Sequence, residues 1–134
     1  MKKILMLIFI ILFIIICIFY FNKISNKKDT IIGTAIPIYD VVEKFCNNDE
    51  YYLTVAFEDY FIEQYKLPKD KLTFKVKESI YNKVIVNSGF VGISLTIKIP
   101  YNEPKIDIGT ILRENHTNYC KIVRITSKDN ISID

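Results

Sequence analysis

The chain has 134 residues, half of them hydrophobic, and a net charge of +3, which suits one modest domain beside a membrane segment. Five of the 18 basic and one of the 15 acidic side chains lie in residues 1–29, leaving 13 basic against 14 acidic in residues 30–134. That near balance argues against nucleic acid as a partner and puts the basicity beside the apolar run, where Lys meets anionic headgroups.

Ile4 to Phe21 is a run of eighteen residues without a charge, preceded by Lys2 and Lys3 and followed by Lys23, Lys27 and Lys28. Roughly 20 apolar residues in a helix cross a bilayer core. The run is too long for the apolar region of a cleaved signal, and no small-x-small site follows it closely. Ser25 has Lys23 at the paired position, and Gly33-Thr34-Ala35 lies too far downstream. Cys17 follows Ile16, whereas an acylated lipoprotein Cys follows a small residue. An uncleaved anchor therefore fits best, with a secreted or lipid-anchored product after cleavage as the alternative. Both flanks are basic, so charge barely decides orientation. The short N-terminal flank favours an N-inside anchor with the rest of the chain outside the cytoplasm. The expected organisation is a signal-anchor at residues 1–21, a polar linker at 22–34, and an extracytoplasmic α+β domain at 35–134.

Pro37 suits the first turn of a helix. Ile38, Val41, Val42 and Phe45 then share one helical face. Asn47 and Glu50 are spaced as a capping box. Leu53, Ala56, Phe57, Tyr60 and Phe61 continue at helical spacing to Tyr65, although Tyr51 to Phe57 also has strand composition. Leu67-Pro68 ends that element. From Leu72 the period becomes two: Leu72, Phe74 and Val76 alternate with Thr73, Lys75 and Lys77. Tyr81-Asn82-Lys83 reads as a turn or bulge, Val84-Ile85-Val86 as a short strand and Asn87-Ser88-Gly89 as a turn. Phe90 to Ile99 is the clearest strand, with Val91, Ile93, Leu95, Ile97 and Ile99 towards the core. Strands are also predicted at Ile106–Leu112 and Tyr119–Thr126, the latter with Cys120, Ile122 and Arg124 on one side. The predicted domain is two helices packed on a mostly antiparallel sheet of four to five strands.

Chemistry-bearing motifs are sparse. His116 is the one histidine, so two-histidine zinc patterns are excluded. No metal and no cofactor is expected. Cys46 and Cys120 are the candidate disulfide of an oxidising compartment, and the chain lacks Cys-x-x-Cys. Glu58, Asp59 and Glu63 follow the wet face of a helix. Lys69, Lys71, Lys75 and Lys77 form a basic cluster, the last three on one strand face, that could meet anionic lipid or an acidic polymer, although a solvated face accounts for it better. Tyr51, Tyr52, Tyr60 and Tyr65 could line a pocket, although core packing accounts for them better. Gly89-Phe90-Val91-Gly92 lacks the context of a phosphate loop. Asn115-His116-Thr117 and Asn130-Ile131-Ser132 are glycosylation sequons, meaningful only in a eukaryotic or viral secretory path.

Arg113, Glu114, His116, Tyr119 and Arg124 form the densest polar group near the later strands and are the candidate ligand-binding set. The expected function is a membrane-anchored binding or assembly module of a cell envelope without intrinsic catalysis. Its expected partners are the bilayer and a protein at the membrane surface. The alternative is a small-ligand receptor or enzyme whose pocket lies between helices and sheet.

Overall fold

The uncharged run forms one continuous helix in the computed structural model, which describes residues 1–25, 27–104 and 106–134. This helix, α1 (Lys2–Ser25), holds a candidate span of 23 residues whose apolar window has a mean hydropathy of 3.4 and no buried residue. At about 1.5 Å per residue it is long enough for a bilayer core of about 30 Å. Residues 22–34, expected as linker, divide between the end of α1 and the start of β1 (Thr30–Pro37); Asn26 lies outside the described residues.

After β1 come β2 (Asp40–Asn47), β3 (Glu50–Ala56), α2 (Asp59–Tyr65), β4 (Lys71–Val76), α3 (Glu78–Lys83) and β5 (Phe90–Ile99). Then follow α4 (Ile108–Arg113), a 3-10 turn (Thr117–Tyr119), β6 (Cys120–Ser127) and β7 (Ser132–Ile133). The domain is α+β, but its sheet has seven strands and is mixed, larger than the four to five antiparallel strands expected. The order is β1-β5-β6-β4-β3-β2, with β7 also on β6 and a parallel pairing between β4 and β6.

Two expected helices are strands. The stretch from Pro37 to Asn47 ends β1 and forms β2, and Glu50 to Ala56 is β3. Asn48 and Asp49 have φ of 50° and 60°. Two consecutive left-handed residues close a tight hairpin, so the apparent capping box is a β-turn. Helical spacing of Val41, Val42, Phe45 and Leu53 coexists there with β-branched and aromatic content, and cross-strand pairing decides for the sheet. Only Asp59–Tyr65 of the expected second helix is helical. Two errors run the other way. Tyr81–Lys83, expected as a turn or bulge and followed by a strand at Val84–Val86, belongs to α3 with no strand after it at Val84–Val86, and Ile108–Arg113 is helical where a strand was expected. Asp107 caps α4 by accepting the Thr110 N–H at 2.9 Å.

The two edges of the strand order are consecutive in the chain. Ile38 N–H donates to the Val91 carbonyl at 3.0 Å, and Tyr39 N–H donates to the Ala56 carbonyl at 2.8 Å. The backbone thus leaves β5 and joins β3 within two residues, so the sheet must curl back on itself. Asp40, 9% exposed, braces this corner. Its carboxylate accepts from Val41 N–H at 2.8 Å, Gly89 N–H at 3.0 Å and Phe90 N–H at 3.1 Å.

The core lies inside this curl. One lateral row runs Thr34–Leu95–Ile122–Val76–Tyr51–Cys46 through five strand pairings. Ile93, Leu95, Ile97 and Ile99 are each at most 2% exposed, which agrees with the alternation read from β5. Val91 is only half-buried because the register shifts between Phe90 and Gly92, which turns Phe90 inward instead. A second shift between Ser94 and Leu95 makes Val123 the extra residue of β6. Arg124 therefore faces out and Ile125 faces in, where simple alternation had placed Arg124 beside Ile122.

Candidate functional site

The five residues of the candidate set separate into three groups. Arg113 ends α4 and reaches over Gly109, donating to the Tyr65 carbonyl at 3.3 Å and the Thr110 hydroxyl at 3.1 Å. A Cβ at Gly109 would stand 3.1 Å from the Arg113 guanidinium and 3.4 Å from the Tyr65 ring, so glycine keeps that route open. Arg113 is thus spent on joining α4 to α2. His116 meets the Glu114 carboxylate at 2.9 Å and lies against Tyr119 with ring centroids 5.9 Å apart. These three form a local surface cluster around the 3-10 turn. Arg124 lies apart on β6 in an ion pair of 2.5 Å with Asp134, lining a cleft with Lys77, Ser94 and Val123. The pair raises the Arg124 pKa and lowers that of Asp134, chiefly through the hydrogen bond between them.

Cys46 is exposed on β2, Cys120 is buried in β6, and both thiols are free. Two strands, β3 and β4, stand between them in the sheet. Three strand spacings of about 4.8 Å exceed the reach of a disulfide, whose Cα atoms lie within about 7 Å. Burial pushes the Cys120 thiol up to about 11, so this sulfur is held protonated.

The outer face of the sheet carries a second polar cluster. Lys75 donates to Glu50 at 2.6 Å, Tyr52 donates to the same carboxylate at 2.7 Å, and Phe45 stacks on Tyr52 at 5.1 Å. These hydrogen bonds lower the Glu50 pKa and raise those of Lys75 and Tyr52. All three groups are open to water, where such pairs contribute little to stability. Tyr51 instead packs on Tyr81 at 4.9 Å and donates to Glu78 at 2.9 Å, while Tyr65 packs on Phe61 at 4.5 Å. The tyrosines therefore do not share one pocket. A cleft of about 420 Å³ opens where β2, β3 and α2 meet, lined by Tyr39, Glu58, Asp59 and Asp70 among others. Among the described residues, no group of three or more His, Cys, Asp or Glu could hold a metal ion.

The chain leaving α1 is fastened to the end of β5. Asp29 accepts the Tyr101 N–H at 3.2 Å and pairs with Lys98 at 3.3 Å, while the Lys27 ammonium sits 5.5 Å from the Tyr101 ring centre. Beyond this clasp β1 runs as the sheet's edge, with Ile31 68% and Ile32 41% exposed. Neither the clasp nor the open edge can be read from the sequence, because residues 22–34 look like a polar tether in composition. The signal that could have shown the strand is the β-branched run Thr30-Ile31-Ile32.

Comparison with known proteins adds no relative: no family model, no curated protein and no solved structure matches this chain.

Proposed function

We propose that the chain is a membrane-anchored binding or assembly module of a cell envelope, with no catalysis of its own. In this reading α1 is an uncleaved single-pass signal-anchor and residues 30–134 stand outside the cytoplasm. The observation that carries it is the contrast between α1 and the rest. The 23-residue span Lys2–Ile24 is polar only near its two ends and has none of its apolar window buried, while among the described residues the core inside the sheet contains none from α1. An apolar surface of that size is unstable in water and stable in lipid. The scattered candidate residues agree with binding, because general acid–base chemistry needs groups that converge on one reacting atom.

The test is carbonate extraction of membranes together with reporter fusions at both ends. The expected result is a full-length product in the carbonate pellet, with the C-terminal reporter active outside the cytoplasm. Full-length chain in the supernatant would refute the anchor. A shortened product beginning after residue 17 would favour cleavage.

A further inference from the structure

We infer that the free edge of β1 pairs with the β1 edge of a second copy of this chain, joining two sheets across a two-fold axis. The inference rests on the anchored reading above and adds a partner to it. β1 ends the strand order, and among the described residues nothing pairs with its other side. Ile38 N–H bonds Val91, and antiparallel pairing alternates. The even-numbered residues of β1 therefore bond β5, while Ile31, Gly33 and Ala35 turn their N–H and C=O groups outward. Pro37 falls in the outward set, so its missing N–H costs no bond to β5.

Soluble proteins protect such edges with charges, bulges or covering segments. β1 reads Thr-Ile-Ile-Gly-Thr-Ala-Ile-Pro, has no charged residue, and pairs with β5 in unbroken register. Gly33 sits at its centre without a reason inside the protomer. A Cβ there would meet nothing within 4 Å, and its φ is not in the left-handed region. Glycine weakens a strand, and in a strand interior it often marks close approach of another backbone.

The occupant follows from the tether. β1 begins five residues after α1 ends, so copies in one bilayer meet at high effective concentration and with like orientation. Antiparallel pairing of identical strands creates a two-fold axis across the strands, which copies in one membrane satisfy when that axis follows the bilayer normal. Keeping the inner faces on one side requires odd residues to pair with odd. Centred on Gly33, the pairing sets Gly33 against the second copy's Gly33, Ile31 against Ala35 and Ile32 against Thr34. Both exposed isoleucines are then covered.

The test uses the full chain in membranes, with Cys17→Ala and Cys46→Ser to remove the accessible thiols. Gly33→Cys and, as a collision control, Tyr60→Cys on α2 are oxidised with copper phenanthroline. Hydrogen-bonded pairs have Cα atoms about 5.5 Å apart, within disulfide range. The expected result is a crosslinked dimer at least five-fold more abundant for Gly33→Cys than for Tyr60→Cys, reduced several-fold by adding Ile31→Lys. Equal yields, or no effect of Ile31→Lys, overturn the pairing and leave the edge to headgroups or another protein's segment. Carbonate extraction of the same samples separates the two ideas. A pelleted chain without a specific crosslink loses only the pairing, and a specific crosslink in extracted chain loses only the anchor.

Discussion

The Asp40 carboxylate accepts the Phe90 N–H at 3.1 Å across fifty positions of sequence, tying the first residue of β2 to the first of β5. The same carboxylate holds two more N–H groups, at the corner where the sheet turns back on itself.

Asp40→Ala should therefore strand buried donors. Hydrogen bonds to a charged group contribute about 1.5–3 kcal/mol each, so the loss should be at least about 2 kcal/mol, or roughly 10 °C in Tm. Asp40→Asn keeps one acceptor oxygen and should lose less. Thermal circular dichroism of the full chain in detergent reads both. Unchanged melting for Asp40→Ala would mean the corner stands without its brace.

Residues 27–134 should fold without α1, since among the described residues none of that helix enters the core. The detached domain should give a circular dichroism spectrum with both strand and helix and a cooperative melt. A disordered spectrum would show that the membrane segment contributes to folding.

Ile97→Asp should unfold the domain, because position 97 is 1% exposed and an unpaired buried carboxylate costs several kcal/mol. Lys98→Asp, one residue on, changes an exposed side chain and should keep the fold, losing only the contact with Asp29. Equal tolerance of both substitutions would contradict the register of β5.

The two thiols of the domain should differ in reactivity. Cys120 is 2% exposed and its pKa is pushed up to about 11, so at pH 8 only about one in a thousand is thiolate. Iodoacetamide should label exposed Cys46 in the native chain and Cys120 only in denaturant. Peptide mass mapping at pH 8 checks this, and rapid native labelling of Cys120 would mean that β6 opens readily.

Stability should decline at acid pH from a plateau. Glu50 is lowered from its usual 4.5 by hydrogen bonds from Lys75 and Tyr52. Asp107 is lowered from 3.8 by Thr110, and Asp134 from 3.8 by Arg124. A depressed folded pKa contributes stability that is present above the unfolded value and lost as pH falls through the folded one. Melting temperature should therefore be level from pH 7 to about 5 and drop below about 4.5. The drop should be small, because these groups are exposed. Glu50→Gln should flatten part of it.

The sequence by itself determined what depends on local composition and period. Ile4–Phe21 has no charge to stop a helix from spanning lipid, and α1 covers it. Alternation defined the bounds of β5, Phe90–Ile99, and its inner face from Ile93 onward, and Leu72, Phe74 and Val76 defined the inner face of β4. Tertiary structure decided the rest. Val41, Val42 and Phe45 satisfy helical and extended patterns alike, and only pairing of β2 with β3, then of β3 with β4, selects the strand. The extra residue Val123 turns Arg124 to water, a shift visible only once β5 lies beside β6. The candidate polar set was dense in sequence yet parts in space, because Arg113, His116 and Arg124 sit on a helix, a turn and a strand that face different neighbours. Periodicity records which side of an element avoids water, while the choice of partner strand is a long-range contact that no local window contains.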